Sequence, residues 1–313
     1  MQILKGVDLA NLGEKHQGKV RDYYILPTTR VIITTDRISA FDSILGFIPY
    51  KGQVLNQLSA FWFTETVDIV RNHMLSVPDP NVMVVSNAEM IPIEIVVRGY
   101  ITGVTGTAIW GSYAKGERNI YGIDFPEGLK KNQKLPRPII TPTTKPEVGH
   151  DERLTRDEIL QSGIVPERLW KQIEEVSLAL YEYGAKLCAE RGLILVDTKY
   201  EFGLIDGKLV LIDEIHTPDS SRFWIKDTYE GLFEKGKEPE NFDKEFLRLW
   251  YKERGYIGDG TPPEMPVSLQ NAVSKRYIDA YKMITGEEFI IPTDRSIEKR
   301  IQKNVSKFLK TIS

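Results

Sequence analysis

A charged hairpin near residue 200 constrains the fold of this chain more than any other segment. Residues 193–214, LILVDTKYEFGLIDGKLVLIDE, contain two largely apolar runs separated by Asp206-Gly207. An Asp-Gly pair between two such runs is a strong signal for a β-hairpin. Asp197, Lys199 and Glu201 stand at every second position, and such residues share one face of a strand. The segment therefore predicts a sheet with one apolar face and one charged face.

The length of the hairpin loop decides where the carboxylate at its end lies. A two-residue loop of Asp206-Gly207 sends Asp213 to the face opposite Glu201. A three-residue loop that adds Ile205 pairs Lys199 with Asp213. We favour the three-residue loop because it separates the charged side chains from the apolar ones more completely. It predicts that all four of these charged side chains share one face.

The shared face indicates a metal site. Glu201 and Asp213 are diagonal neighbours in the favoured register, within reach of one bridging cation. Carboxylate oxygens suit Mg²⁺, which keeps waters and substrate phosphates among its ligands. Lys199 would balance the carboxylates or contact a substrate anion. The alternative is a solvated sheet face with cross-strand ion pairs, and the residues alone leave both interpretations open.

Composition excludes several other classes of function. The 313 residues are 41% apolar, enough for a substantial core, and the length suggests about two domains. A net charge of -3 argues against an obligatory nucleic acid partner. One cysteine and four histidines argue against a zinc site. Neither a signal peptide nor an apolar run of about 18 residues is evident, so we expect a soluble cytoplasmic protein that binds no membrane.

Two other segments carry cations suited to phosphates. In HQGKVRD, residues 16–22, Gly18 occupies a predicted turn, and Lys19 and Arg21 then share one face of the following strand. Such a hairpin can bind phosphates through backbone N–H groups and cationic side chains, although a plain surface hairpin is the alternative. Arg98 ends a predicted apolar strand and could bind a phosphate or carboxylate with two hydrogen bonds. Its alternative is a structural arginine in a buried ion pair.

Residues 115–150, rich in Gly, Pro and Lys, are predicted to form a long connection. Long ordered loops are often functional. The segment PTTKPEVGHD brings Lys145, His150 and Asp151 into or next to this connection. After the charged hairpin, the segment DSSR offers Arg222 to an anion. Together these features describe several anion sites and one metal site.

These segments together resemble one protein family. In order between residues 18 and 224 the chain contains GKVRDYY, TTDRISAFD, KGQVLNQLS, PIEIVVRGYITG, PTTKPEVGHD, LVDTKYEFG and LIDEIHTPDSSRFW. They resemble the SAICAR synthetase (phosphoribosylaminoimidazole-succinocarboxamide synthase) family of purine biosynthesis, and VVRGYITG with LVDTKYEFG is highly specific. The resemblance implies an α+β fold with two lobes around an ATP cleft, distantly like protein kinases and ATP-grasp enzymes. It also implies Mg²⁺ and ATP-dependent ligation of carboxyaminoimidazole ribonucleotide to L-aspartate through an acyl phosphate.

The resemblance also assigns roles to the candidate residues. ATP would contact Gly18, Lys19, Arg21, Glu89, Met90, Glu201 and Asp213, the last two through Mg²⁺. The substrates would contact Arg98, Thr105, Lys145, His150, Asp151, Asp219 and Arg222. Lys199 and Asp197 would be catalytic. Many family members have Gly-Ser after the RGY segment; this chain has Gly103-Val104, and Thr105 would supply the hydroxyl.

The chain is expected to consist of three structural parts and to have only small molecules as obligatory partners. Residues 1–93 would form a β-rich ATP-binding lobe, residues 94–260 a catalytic lobe, and residues 261–313 a mostly helical segment packed on the catalytic lobe. The chain would be a monomer or a small homo-oligomer. A kinase-like phosphotransferase is the second hypothesis, because Glu201-Phe202-Gly203 is similar to the kinase Asp-Phe-Gly, but an HRD-type loop is missing. A nucleotide-binding module without turnover is the third.

Overall fold

The computed structural model combines antiparallel sheets with helices and describes residues 2–9, 12–41, 43–103, 107–145, 152–242 and 244–312. The strands are β1 (Lys15–Gln17), β2 (Arg21–Ile25), β3 (Thr29–Thr34), β4 (Arg37–Ala40), β5 (Ser43–Phe47), β6 (Met74–Asp79), β7 (Val82–Ser86), β8 (Glu89–Ile101), β9 (Asn119–Ile120), β10 (Ile123–Asp124), β11 (Gln133–Thr144), β12 (Leu193–Ile205), β13 (Lys208–Ile212) and β14 (Ser221–Ile225). The helices are α1 (Lys51–Glu65), α2 (Ile109–Tyr113), α3 (Arg156–Ser162), α4 (Glu167–Glu190), α5 (Lys226–Glu234), α6 (Glu245–Lys252), α7 (Val267–Thr285) and α8 (Ile297–Ile312). The expected α+β class is confirmed.

The first five-stranded sheet has the order β1-β2-β3-β7-β6. Its first hairpin turns at Gly18, whose N–H donates to the carbonyl of Arg21 at 2.8 Å, so the predicted strand–glycine turn–strand unit is confirmed. Alternate residues of β3, Val31 and Ile33, are fully buried and pack in one cluster with Ile301 of α8. Period-two alternation therefore fixes which face of this sheet forms the core.

The second sheet has the order β11-β8-β12-β13, and β14 also pairs with β12. β11 occupies residues that were expected to form a loop, so that part of the prediction is wrong. Two prolines, Pro136 and Pro138, fall in the irregular stretch between Lys134 and Ile139, where the ladder with β8 is interrupted. Proline lacks the N–H that a ladder needs and is tolerated at such irregularities on an edge strand.

The two longest helices before residue 200 have clear ends. α4 begins after Pro166 and ends just before Gly192, whose φ of 76° is left-handed. α1 spans Lys51–Glu65. It ends where both the backbone N–H and the hydroxyl of Thr66 donate to the carbonyl of Trp62. Within the described residues, no helix is long and apolar enough to cross a membrane.

A close approach between α4 and a buried histidine provides a test of the packing. A β-carbon at Gly184 would lie 2.3 Å from Cε1 of His216. His216 is buried, with Nε2 2.6 Å from the hydroxyl of Tyr200. We therefore expect Gly184→Ala to lower the free energy of unfolding by about 3 kcal/mol through overpacking, measured by urea denaturation. Gly231→Ala in α5, where no heavy atom lies within 4 Å, should be neutral or stabilising, and equal effects would contradict the packing.

Candidate active site

The charged hairpin turns through a two-residue loop. Ile205 pairs with Lys208, and Glu201 pairs with Ile212. Asp206 and Gly207 have φ values of 52° and 69°, which suit a type I′ turn. The favoured three-residue register is therefore wrong. The twist of a type I′ turn matches that of the paired strands, so Ile205 stays in the ladder instead of joining the loop.

Asp213 nevertheless lies beside the charged face of β12. It is the residue after the end of β13 and has a left-handed φ of 66°. This conformation turns the backbone away from the strand path, so the two-residue alternation no longer fixes the side chain's direction. A carboxylate oxygen of Asp213 lies 3.5 Å from Nζ of Lys199. The predicted proximity is thus observed, although the register used to predict it was wrong.

Lys199 lies at the centre of three carboxylates. Its Nζ donates to Glu94 at 2.9 Å and also contacts Glu201, and Asp213 completes the group. Glu94 belongs to β8 and stands directly opposite Glu201 in the ladder. Burial alone would lower the pKa of Lys199, but the three carboxylates raise it well above its usual value. The side chain is therefore an ammonium ion at neutral pH.

The carboxylates around Lys199 differ in their protonation behaviour. Burial and the neighbouring charge of Asp213 raise the pKa of Glu201, against the opposing effect of Lys199 and Lys145. Lys145, at the end of β11, contacts Glu201 directly. Burial would also raise the pKa of Asp213, but Arg21 and Lys199 hold it well below the usual range. Adjacent acids whose pKa values diverge in this way are typical of functional sites.

Arg21 connects the first sheet to this cluster. Its guanidinium contacts Asp213 and donates to Glu214 at 2.6 Å. Burial would lower the pKa of Arg21, and these two carboxylates raise it above its usual value. The glycine hairpin of β1 and β2 is thereby held against the end of β13.

The carbonyls of the glycine hairpin are held by an arginine that the sequence interpretation did not select. Arg37 donates to the carbonyl of Gly18 at 3.2 Å and to that of Lys19 at 3.1 Å. It also forms a 2.6 Å ion pair with the buried carboxylate of Asp22. These bonds fix the backbone of the turn between β1 and β2, where Lys19 lies, two residues before Arg21 at the start of β2.

Asp197 brings two arginines together. Its Oδ2 accepts from Arg98 at 3.0 Å and from Arg222 at 2.6 Å. The contact of Arg98 with Asp197 is the buried ion pair considered as its alternative role. Arg98 also donates to the hydroxyl of Thr141 and to the carbonyl of Thr107.

Arg222 also lies 3.8 Å from a carboxylate oxygen of Glu245, which in turn pairs with Arg248, so three guanidiniums face two carboxylates here. Planar guanidiniums bind phosphate and carboxylate groups well, so Arg98 and Arg222 suit an anionic ligand.

Asp219 accepts contacts from three side chains. Lys51 and Lys244 lie 2.8 Å and 3.3 Å from its Oδ2, and the hydroxyl of Tyr277 donates to Oδ1 at 2.6 Å. Burial would raise the pKa of Asp219, but the two ammonium groups hold it below the usual range. Burial, together with Lys51 and Arg248, lowers the pKa of Lys244 to about 8. The carboxylate is therefore an anion fixed from several directions.

The remaining candidate residues lie elsewhere or outside the described part of the chain. Glu89 and Met90 begin β8 and are exposed, and Met90 stands opposite Gly203 of β12. A β-carbon at Gly203 would lie 2.9 Å from the carbonyl oxygen of Glu89, so the two strands approach closely there. Three predicted substrate residues lie outside the described residues: Thr105, His150 and Asp151.

The carboxylate pair has the chemistry expected of a magnesium site. In the described part of the chain, no three His, Cys, Asp or Glu side chains are grouped as metal ligands. Glu201 and Asp213 nevertheless converge on the same ammonium group of Lys199. Magnesium commonly binds through one or two carboxylates and completes its shell with waters and phosphate oxygens. The pair therefore fits a metal ion that arrives with a nucleotide.

Sequence interpretation missed several residues that contact the site. Glu94 gave a weak signal, since it and Arg98 are polar residues four positions apart in an apolar strand and so share one face. Lys51 gave no local signal, because its contact with Asp219 spans 168 residues of the chain. Contacts of this kind become visible only when the topology is known.

Comparisons with known proteins show which family the chain belongs to. The family model for SAICAR synthetase matches residues 14–263. The phosphoribosylaminoimidazole-succinocarboxamide synthase of Legionella pneumophila (strain Paris) is 48% identical over 95% of this chain and 96% of its own length. A SAICAR-synthase from Saccharomyces cerevisiae complexed with SAICAR superposes with a TM-score of 0.80 and 32% identity, covering 92% of this chain and all of that one. A SAICAR synthetase in complex with ADP gives a TM-score of 0.67 and 26% identity over 89% of this chain and all of that one. This chain belongs to the SAICAR synthetase family.

Proposed function

We propose that this chain ligates carboxyaminoimidazole ribonucleotide to L-aspartate, with ATP as the energy source, in purine biosynthesis. Family membership supports the reaction. The observation that carries it is that β12 places Lys199, which lies among three carboxylates, two residues from Asp197, which pairs with two arginines of the neighbouring strands. β12 and the strands beside it thus present a cation-rich anion site and a carboxylate-rich metal site side by side.

The reaction requires activation of a poor electrophile. An oxygen of the ribonucleotide carboxylate attacks the γ-phosphorus of ATP, and the bond to ADP breaks, leaving an acyl phosphate. The amine of L-aspartate then attacks the acyl carbon, a C–N bond forms, and phosphate leaves with the C–O bond's electron pair. The amine loses a proton as the amide forms. Both transfers depend chiefly on positioning and charge neutralisation.

The charged side chains fall into groups suited to these steps. Lys19 and Arg21 would hold the ATP phosphates, with Gly18 allowing close backbone approach and Glu89 and Met90 bordering the adenine. Lys199 would stabilise negative charge on the transferring phosphoryl group. Glu201 and Asp213 would hold Mg²⁺, which supplies charge neutralisation at the phosphates when bound.

The two arginines of the proposed substrate site lie at Asp197, on the side of Lys199 away from Glu201 along β12. Arg98 and Arg222, fixed by Asp197, would bind an anionic group of the ribonucleotide, with Asp219 supporting the same loop. In this arrangement Asp197 acts by orienting the arginines. Lys145 would reach the substrates from the end of β11, together with Thr105, His150 and Asp151.

The chain organisation expected from sequence forms part of the proposal. Residues 1–93 would supply the nucleotide-binding lobe, residues 94–260 the catalytic lobe, and residues 261–313 a packed helical segment. β8 runs from Glu89 to Ile101 and therefore joins the first two parts. We also propose a cytoplasmic location and a monomer or small homo-oligomer, with small molecules as the only obligatory partners.

One assay tests the reaction. The protein is incubated with MgATP, and the ribonucleotide and L-aspartate are added separately and together while ADP and SAICAR are measured. We expect sustained ADP release with equimolar SAICAR only when both substrates are present. ADP formation that ignores both substrates would contradict the ligase and would favour a different phosphotransferase or ATPase.

A further inference from the structure

Lys51, the first residue of α1, contacts Asp219 in the loop of residues 213–220 that leads from β13 into β14. Lys51 is fully buried, and its Nζ lies 2.8 Å from Oδ2 of Asp219. Burying a charged lysine costs free energy unless the charge is paired, so the pairing of Lys51 with Asp219 indicates a structural or functional role. Because no ligand can touch a fully buried ammonium group directly, any role in the reaction must act through Asp219.

The helix end that carries Lys51 is held in place by short contacts. The N–H of Gly52 donates to Oδ1 of Asp36 at 2.9 Å, and the other oxygen of Asp36 accepts from the N–H of Leu4 at 2.8 Å. A β-carbon at Gly52 would lie 2.2 Å from the carbonyl oxygen of Thr34, so only glycine allows this approach. Lys51 therefore extends from a base that cannot shift without disturbing β3.

The loop on the receiving side leads directly to two residues of the proposed reaction. The carbonyl of Ser220, next to Asp219, accepts from the backbone N–H of Lys199 at 3.1 Å. Ser221 donates through its hydroxyl to Thr198 at 2.8 Å. Arg222 follows and stands opposite Asp197 in the ladder. A displacement of Asp219 would therefore move the guanidinium that faces the anion site.

We propose that Lys51 is a positioning residue of the ribonucleotide site: its buried ammonium fixes the carboxylate of Asp219 and thereby the loop that presents Arg222. The inference rests on the proposed function. It differs from that function because it concerns a residue that contacts no substrate. Its effect falls on ribonucleotide binding, since the loop presents Arg222, whereas Lys199 is also held in the ladder with β8 and Arg21 lies outside this loop.

The variant Lys51→Met tests the role. Asp219 keeps Lys244 and Tyr277 as partners, so the carboxylate remains paired and the chain should fold. We expect KM for the ribonucleotide to rise about tenfold, equivalent to about 1.4 kcal/mol of binding free energy. KM for ATP should stay within about twofold, because the part of this loop that follows Asp219 carries none of the residues assigned to ATP. Lys186→Met, which removes an exposed lysine of α4, is the matched control and should leave both values unchanged.

A conservative variant and a binding measurement complete the test. Lys51→Gln keeps a hydrogen-bond donor of similar reach, so it should recover part of the loss and give a rise of about threefold. If Lys51→Met does not fold, Lys51→Gln provides the test. KM values equal to those of the wild type in the Lys51→Gln variant overturn the proposal. A parallel rise in KM for all three substrates, or a fall in kcat alone, also overturns it.

Calorimetric titration separates this inference from the proposed function. Wild-type protein that does not bind carboxyaminoimidazole ribonucleotide would contradict the function itself. If the wild type binds the ribonucleotide and a folded Lys51→Met variant binds it equally well, the result would contradict the positioning role but not the proposed function.

Discussion

Turnover should fall by about 10²–10³-fold in Asp213→Asn, the range seen when a preorganised charge contact is removed from an active site. Asparagine keeps the shape of the side chain but removes the negative charge that faces Arg21 and Lys199. It is also a much weaker ligand for Mg²⁺ than a carboxylate. Glu201→Gln should have a comparable effect, because it removes the second carboxylate of the proposed metal pair. The measurement is kcat with all substrates and Mg²⁺ at saturation.

The hairpin itself provides the control for this change. Asp206→Asn makes the same chemical substitution at the exposed turn, where asparagine tolerates the left-handed φ of 52°. We expect its kcat to match the wild type. Circular dichroism should show that all three variants are folded. Wild-type turnover by Asp213→Asn and Glu201→Gln at saturating Mg²⁺ would show that the metal assignment is wrong.

Lys199→Met should also lower kcat by at least about 10²-fold, since it removes the cation proposed to stabilise charge during phosphoryl transfer. The same change leaves Glu94, Glu201 and Asp213 facing one another without their shared ammonium. Their mutual repulsion should favour binding of a divalent cation in the absence of nucleotide. Mn²⁺ binding, measured by electron paramagnetic resonance, should therefore be tighter in the variant than in the wild type.

A second lysine on the same hairpin is the control for Lys199. Lys208 begins β13 and is exposed, so Lys208→Met should leave both kcat and Mn²⁺ affinity unchanged. A Lys199→Met variant that keeps activity within about threefold of wild type would contradict a role in charge stabilisation. Lower Mn²⁺ affinity in that variant would contradict the idea that the ammonium and a metal compete for the same carboxylates.

Local patterns predicted the elements whose stability is local. The Gly18 turn and the Asp206-Gly207 hairpin both follow from residues close together in the chain. The loop length was wrong because separation of charged from apolar residues was given more weight than turn geometry. β11 was missed because its prolines suggested a loop, whereas an edge strand with an interrupted ladder accommodates them.

The site was predictable only in part, for a similar reason. Lys199 and Glu201 were evident from alternation along one strand. Asp213 was predicted correctly as their neighbour but from the wrong hairpin register, because its left-handed backbone conformation cannot be deduced from strand periodicity. Glu94, Arg37 and other partners come from distant segments, and single-sequence periodicity contains no information about which strands become neighbours. Family resemblance supplied roles for residues, but not these supporting contacts.

Because Arg21 and Asp213 already pair with each other, binding of the proposed ligands would replace this ion pair with new partners for both side chains. The guanidinium proposed to hold phosphate and the carboxylate proposed to hold metal neutralise each other across the two sheets. A nucleotide that arrives with its metal offers a replacement to both groups at once: phosphate oxygens for Arg21 and a cation for Asp213. Either ligand alone would replace one partner of the ion pair and leave the other group with fewer partners, Glu214 for Arg21 or Lys199 for Asp213. The ion pair would thus favour binding of the intact metal–nucleotide complex over either component alone.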